Sequence, residues 1–230
     1  MINKMNDKKT IFFDVGNVLV YKKTSEGFNI GKILGFDESE YENILSKVVE
    51  SAPSDLGVRF WELRTLEEEI NYLNEFHTYF LKYLGKPYDL AIIEKLTRCR
   101  TNGDYAIIDG VVENLEKLSK LYNLGIISNA LPSRRHHELK LDNIDNYFNP
   151  IIISWEVGIQ KPDPQIYKIA MEKANAKPED IIFIDDKEKF LMGAKSAGIE
   201  NLILFSKKEL ETNHIKFNDF NKLSNYLISL

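Results

Sequence analysis

The sequence has few of the residues and segments that mark several large classes of protein. It has one cysteine, Cys99, so no disulfide can form within the chain and nothing points to an oxidising compartment. No apolar run approaches the roughly 18 residues of a membrane span, and the N-terminal MINKMNDKKT is charged, unlike a secretion signal. The net charge is −5, which leaves no broad basic surface for nucleic acid. We therefore expect a soluble, cytoplasmic protein, a monomer or homodimer, that has neither membrane nor nucleic acid as a partner.

The chain does contain enough apolar sequence for one large domain, or for a core domain with a smaller insertion. It has 230 residues, of which 43% are hydrophobic and 28% charged. Residues 10–20 are predicted to form a buried strand that ends in a turn, because a short apolar run stops at a glycine. Residues from about 37 to 98 show helical patterns. Asp37 has the position of an N-cap with Glu40 three places on, and a second pattern covers residues 60–84.

From Tyr105 onward the pattern changes to short apolar strands that alternate with helices. Strands are predicted at 124–130, 150–155, 181–186 and 201–206, and helices between them at 111–122, 164–174 and 188–197. This alternation is typical of parallel strands joined by crossover helices. It predicts an α/β fold, a doubly wound, Rossmann-like parallel sheet to which the first strand also belongs. The core then comprises residues 1–22 and 98–230, with the all-helical residues 23–97 inserted after the first strand. Residues 207–230 are predicted to be polar at first and then to form a closing helix.

Polar side chains cluster where the predicted strands end. Ligands of open α/β sheets bind beyond the carboxyl ends of the strands. Five polar residues fall at these strand ends, and a lysine falls in the loop after one strand. They are the carboxylates Asp14, Asp185 and Asp186, the hydroxyl of Ser128, the amide of Asn129 and the amine of Lys161. Crowded carboxylates repel each other unless a cation neutralises them, and oxygen ligands favour magnesium over zinc. The sequence therefore predicts a divalent metal and an anionic substrate at this edge.

Four motifs in this order resemble the haloacid dehalogenase-like superfamily, most of whose members are magnesium-dependent phosphatases. The motifs are FFDVGNVL, GIISNA, GIQKPDPQIY and FIDD, and the resemblance covers roughly residues 10 to 205. The helical insertion falls where one subclass of the family carries a helical cap domain. The resemblance implies a phosphoric monoester hydrolase that acts on a small phosphorylated metabolite and uses Mg²⁺.

The resemblance also implies a role for each matching residue. Asp14 is the nucleophile that takes the phosphoryl group as an aspartyl-phosphate. Mg²⁺ is held by Asp14, the main-chain carbonyl of Gly16 and Asp186, with Asp185 binding directly or through water.

The remaining matching residues bind the phosphoryl group. Ser128 and the backbone N–H of Asn129 hydrogen-bond its oxygens, and Lys161 pairs with them and steadies the developing charge. Gly16 and Asn17 are expected to form a sharp turn whose N–H groups approach the phosphate closely.

One position departs from the usual family pattern. Most of these phosphatases carry a second aspartate two residues after the nucleophile, which protonates the leaving group, and here that residue is Gly16. General acid–base catalysis is typically worth on the order of 10²–10⁴ in rate. We therefore expect a substrate whose leaving group departs easily, such as an anomeric sugar phosphate, an acyl phosphate or an aryl phosphate.

Two other functions stay open at this point. An L-2-haloacid dehalogenase also uses an aspartate nucleophile and needs no acid at the position of Gly16, although Asp185 and Asp186 then lack a purpose. A binding or regulatory protein on the same fold, no longer catalytic, is the other alternative.

Overall fold

The chain divides into two compact units in a computed structural model that describes residues 8–24, 26–53, 56, 62–209 and 211–230. The sheet unit consists of Met1–Tyr21, Ala106–Asn129 and Glu138–Leu230. The helical unit consists of Lys22–Tyr105 and Ala130–His137. None of the helices within the described residues combines the length and apolar character that a bilayer crossing requires.

The sheet unit is built on six strands that pair in parallel throughout, in the order β5-β4-β1-β6-β7-β8. The strands are β1 (Thr10–Phe13), β4 (Asn123–Ser128), β5 (Ile151–Ile153), β6 (Ile181–Asp185), β7 (Asn201–Phe205) and β8 (Ile215–Phe217). From β1 the chain adds β4 and β5 on one side and then β6, β7 and β8 on the other. The strand order therefore reverses at β1, which confirms the predicted doubly wound fold.

Helices join the strands of this sheet. They are α5 (Val111–Leu121), α6 (Pro132–Leu139), a 3-10 segment (Leu141–Tyr147), α7 (Ser154–Val157), α8 (Pro164–Ala174), α9 (Glu188–Ser196) and α10 (Phe220–Ile228). A second, two-stranded sheet consists of β2 (Val20–Lys22) and β3 (Tyr105–Ile107). These strands lie at the two chain positions where the first segment of the helical unit begins and ends.

Alternate side chains of β1 enter the apolar layers on the two faces of the sheet. Phe12 is fully buried and packs in a cluster with Phe183 of β6 and with Tyr167 and Leu191 from α8 and α9. Phe13 instead contacts the rings of Phe148 and Phe220. Because both faces are covered, the central strands are apolar along most of their length, as buried parallel strands are.

The helical unit contains α1 (Glu26–Leu34), α2 (Glu38–Ser51), α3 (Leu66–Tyr83) and α4 (Leu90–Thr101). Helix α2 begins directly after Asp37, its N-cap residue. The Asp37 carboxylate accepts the Glu40 N–H, and the Glu40 side chain accepts the Asp37 N–H. This is the predicted capping box. Helix α3 begins later than the pattern over 60–84 predicts, because Thr65 and Glu68 form a second capping box. Residues 60 and 61 of that prediction lie outside the described residues.

The structure shortens two of the predicted strands and adds one that was not predicted, whereas the other predicted strands end within one or two residues of their expected ends. The run 10–20 is a strand only as far as Phe13, because a turn intervenes before β2 begins. The strand at 150–155 stops at Ile153, where Ser154 starts the short helix α7. The C-terminal residues contain the edge strand β8 before the predicted closing helix α10, because Ile215–Phe217 pairs with β7.

Candidate active site

Three carboxylates converge at the centre of the sheet, where the strand order reverses. Asp14 follows β1, Asp185 is the last residue of β6, and Asp186 comes next. The register pairs Phe13 with Ile184, and the Asp14 N–H donates to the Ile184 carbonyl at 2.9 Å. One oxygen from each carboxylate lies within 4.8 Å of the others. Paired strands therefore bring together acids that are 171 residues apart (185 − 14) in the sequence.

The Lys161 ammonium lies between two of these acids. Its Nζ donates to Asp14 Oδ1 at 2.8 Å and to Asp185 Oδ2 at 2.6 Å, and its side chain has no solvent exposure. The rings of Phe183 and Phe190 have their centroids 5.5 and 4.9 Å from the same nitrogen. Burial alone lowers the pKa of Lys161, but Asp14 and Asp185 outweigh burial and raise it above its usual value. The lysine therefore stays charged.

Asp185 has both carboxylate oxygens engaged by the protein. Oδ2 accepts from Lys161, and Oδ1 accepts the Lys187 N–H at 2.9 Å. Burial raises the pKa of Asp185 to about 7; Lys161 opposes this rise and Asp14 adds to it. Asp185 is thus held as the partner of the lysine.

Asp186 is half-buried and takes a different partner. Its Oδ2 accepts from Asn17 Nδ2 at 3.0 Å. Burial, and next the Asp14 charge, raise the pKa of Asp186 in the metal-free protein. Asp186 therefore lies close to Asp14 and contacts the turn after β1 through Asn17.

The turn after β1 has its unusual backbone at Asn17 and not at Gly16. Asn17 has a φ of 60°, in the left-handed region that asparagine tolerates better than most residues. The Val15 carbonyl accepts the N–H groups of Val18, Leu19 and Val20, which closes the turn. The glycine is therefore not required here by backbone conformation.

Ser128 and Asn129 lie at the carboxyl end of β4, next to β1. Ser128 is buried and ends the strand. The Asn129 side chain is committed to the main chain of Lys161: its Oδ1 accepts the Lys161 N–H at 2.8 Å, and its Nδ2 donates to the Lys161 carbonyl at 2.9 Å. The sequence singled out Asn129 for its backbone N–H, and nothing in the sequence pattern signalled this side-chain contact.

Two aromatic residues near the acids escaped the sequence analysis. The Tyr167 hydroxyl donates to the Phe190 carbonyl at 2.6 Å. Burial raises the pKa of Tyr167, and the charges of Asp185 and Asp14 raise it further, so the hydroxyl stays protonated. Both residues have the pattern of ordinary apolar positions of helices α8 and α9. Only their tertiary contacts, Phe190 with Lys161 and Tyr167 with Phe190, distinguish them.

The arrangement fits a hard divalent cation. Three carboxylates and one ammonium leave a formal charge of −2 when all are ionised, and the accessible donors are oxygens. Oxygen ligands in such a crowded, acidic site are those that Mg²⁺ prefers. Among the described residues, this is the one group of acids, histidines and cysteines close enough to share an ion.

Comparisons with known proteins agree with the fold. Residues 62–204 match the family model of the haloacid dehalogenase-like hydrolases. The chain is 26% identical over 200 residues to a glyceraldehyde 3-phosphate phosphatase from Pyrococcus furiosus, a match that covers 84% of this chain and 79% of the relative.

Solved structures of this family have the same fold. The HAD-hydrolase YfnB from Bacillus subtilis, bound to magnesium, superposes with a TM-score of 0.68 at 16% identity, over 96% of this chain and 98% of that one. The L-2-haloacid dehalogenase from Xanthobacter autotrophicus superposes with a TM-score of 0.65 at 15% identity, over 97% and 99% of the two chains. With the family model matching more than half of its residues, the chain belongs to the haloacid dehalogenase-like hydrolases.

Proposed function

We propose that this hydrolase is a Mg²⁺-dependent phosphatase that cleaves a phosphate monoester of a small metabolite. The observation that carries the proposal is the group formed by Asp14, Asp185, Asp186 and Lys161 at the point where the strand order reverses. The relative named a glyceraldehyde 3-phosphate phosphatase supports a phosphorylated carbohydrate as the substrate class.

In the proposed reaction, Asp14 is the nucleophile. Its free carboxylate oxygen attacks phosphorus, the bond from phosphorus to the leaving oxygen breaks, and an aspartyl-phosphate forms. Water then attacks that phosphorus and releases phosphate and the Asp14 carboxylate. Lys161 holds the other Asp14 oxygen at 2.8 Å, so it orients the nucleophile and offsets negative charge on the phosphoryl group.

The remaining site residues divide into metal-holding and phosphoryl-binding groups. Asp14, Asp186 and the Gly16 carbonyl would hold Mg²⁺, which supplies positive charge that screens the nucleophile from the phosphate. Since both Asp185 oxygens already accept hydrogen bonds, we propose that Asp185 contacts the ion through water. Ser128 and the N–H groups of Asn129 and Gly16 would bind phosphoryl oxygens. The Asn17 N–H, which the sequence also suggested, instead donates to the Val20 carbonyl at 2.7 Å.

Gly16 bears on the choice of substrate. No carboxylic acid stands there to protonate the leaving oxygen, which favours phosphates whose leaving group departs without help, such as anomeric sugar phosphates. Glyceraldehyde 3-phosphate, by contrast, is a primary alkyl ester with a poor leaving group. An enzyme acting on it needs an acid from another residue. The dependence of kcat/KM on the pKa of the leaving group therefore discriminates between these two substrate types.

The test is phosphate release from a panel of aryl, anomeric and alkyl phosphates, with and without Mg²⁺, and with Asp14→Asn as the blank. We expect release that requires Mg²⁺ and Asp14, with kcat/KM rising steeply as the leaving-group pKa falls. A flat dependence would show that another residue supplies the proton. No release by the native protein would instead favour the non-catalytic alternative.

The structural similarity to an L-2-haloacid dehalogenase, together with Gly16, keeps dehalogenation as a second candidate. Halide release from 2-chloropropionate in the presence of a chelator would favour this activity. We expect none, because Asp185 and Asp186 form, with Asp14, an acidic group suited to a metal ion that dehalogenation does not require.

A further inference from the structure

The side chain of Asn129 joins two parts of the sheet unit that both contribute to the candidate active site. Asn129 follows Ser128 at the end of β4, and Lys161 lies in the loop between α7 and α8. The two hydrogen bonds between them, at 2.8 and 2.9 Å, engage both polar groups of the Lys161 main chain. Because one partner is a donor and the other an acceptor, an amide in this orientation satisfies both, whereas an ionised carboxylate would satisfy only the N–H.

A two-point contact of this kind fixes a backbone in position and in rotation. One hydrogen bond would leave the Lys161 peptide free to turn about it, whereas two on opposite sides of the residue do not. The ammonium lies beyond four rotatable side-chain bonds, so a small rotation of the backbone moves it by a larger distance. Displacements of about 1 Å at a reacting centre cost on the order of 10² in rate.

The far end of the same lysine makes the contacts that the reaction needs. Nζ is held 2.8 Å from Asp14 and 2.6 Å from Asp185. The rings of Phe183 and Phe190 lie around this nitrogen. These contacts hold the tip, but one of them changes during the proposed reaction, because Asp14 is the carboxylate that takes the phosphoryl group. Asn129 holds the other end, through groups that take no part in it.

We propose that Asn129 is a positioning residue that acts through Lys161: its amide holds the lysine backbone so that the ammonium stays on Asp14 throughout turnover. The inference rests on the proposed phosphatase function for its kinetic test. It assigns the Asn129 side chain a role separate from that of its backbone N–H, which is proposed to meet the phosphoryl group.

A double-mutant cycle tests the proposal, with Asn129→Ala and Lys161→Met made singly and together. Asn129→Ala should lower kcat by about 10- to 100-fold with little change in KM. In the Lys161→Met background, whose own activity falls by about 10²–10³, the same change should have less than a twofold effect. An equal factor in both backgrounds would overturn the proposal, because Asn129 would then act independently of the lysine.

Asn201→Ala is the matched control. This asparagine lies at the opposite end of the sheet, and its side-chain amide also bridges main-chain carbonyls, those of Glu179 and Ile181. We expect activity within about twofold of the wild type, as for a change away from the chemistry. A loss as large as that of Asn129→Ala would mean that any such bridge is merely structural.

Two further measurements keep the proposal testable if the alanine variant folds poorly or the wild type has no activity. Asn129→Asp keeps the acceptor for the Lys161 N–H and regains the donor only when protonated, so its activity relative to wild type should rise as pH falls. An activity ratio that does not change with pH would contradict the proposed role of the Asn129 amide.

The last measurement is independent of turnover. Trace acetylation followed by peptide mass spectrometry measures how fast each lysine is modified. The fully buried Lys161 should be protected in the wild type and in Asn201→Ala. In Asn129→Ala or Asn129→Asp it should be acetylated at least about tenfold faster than in the wild type. Unchanged protection would overturn the proposal. An inactive wild type refutes the phosphatase function alone, and the labelling result then decides the role of Asn129.

Discussion

Replacing Lys161 with methionine removes the positive charge between two buried acids and keeps most of the side-chain volume. In the wild type, Nζ contacts Asp14 and Asp185 while the lysine and Asp185 side chains have no exposure. The variant leaves both carboxylates without this cation. We expect a large loss of free energy of unfolding in the metal-free protein at alkaline pH.

The magnitude follows from the contact distances. At roughly 2.7 Å and an effective dielectric constant of about 20, each ion pair is worth ~6 kcal/mol before desolvation is subtracted. Removing one partner of a buried pair costs about 3–5 kcal/mol in practice. For a chain of this length that corresponds to a fall in Tm of roughly 6–20 °C.

The loss should depend on pH with a definite sign. Burial raises the pKa of Asp185 to about 7, so this group favours the folded state when protonated, and its contribution is lost as pH rises through that value. Without Lys161 the opposing influence is gone and the pKa rises further. The deficit of Lys161→Met should therefore be largest near pH 8 and shrink toward pH 5.

The assay is urea unfolding in the presence of a chelator at pH 5 and pH 8. Lys168→Met, an exposed lysine on α8, serves as the control and should change stability by less than about 0.5 kcal/mol. Adding Asp185→Asn to Lys161→Met removes the unpaired charge and should recover about half of the loss. A deficit below about 1 kcal/mol at pH 8, or one equal at both pH values, would refute the electrostatic reasoning.

Three further predictions concern the metal ligands, the missing acid and the helical unit. Asn17→Gly keeps the left-handed turn but removes the amide on Asp186, and should weaken Mg²⁺ binding by about 10-fold in calorimetry; unchanged affinity would contradict this role. Gly16→Asp should raise kcat/KM for alkyl phosphates by about 10² while aryl phosphates change little, and an equal gain for both would argue against a missing acid. Burial, and next the Arg100 charge, lower the pKa of His77 to about 3. The free energy of unfolding should therefore fall by about 2–3 kcal/mol between pH 6.5 and 4.5, because the unfolded state takes up the proton that the folded state excludes. His77→Asn should flatten this pH dependence in acid unfolding.

Local patterns in the sequence predicted the elements of the fold well wherever one short-range rule decides them. Asp37 with Glu40 set the start of α2, and the helix predicted at 164–174 has the bounds of α8. The strand β8 escaped prediction because Ile215–Phe217 is short and only partly buried. Its strand conformation comes from pairing with β7 and not from its own pattern.

By itself, the sequence determined that Asp14, Asp185 and Asp186 end parallel strands, and parallel strands place their carboxyl ends at one edge. Tertiary structure alone decided how those acids are used. Asp185 is turned onto Lys161 and Asp186 onto Asn17, although the two are neighbours in sequence and identical in chemistry. The contact of Asn129 with Lys161 likewise joins residues 32 positions apart. Hydrogen bonds depend on distances of a few tenths of an ångström and on side-chain orientation, and these exist only once the strands and their loops have packed.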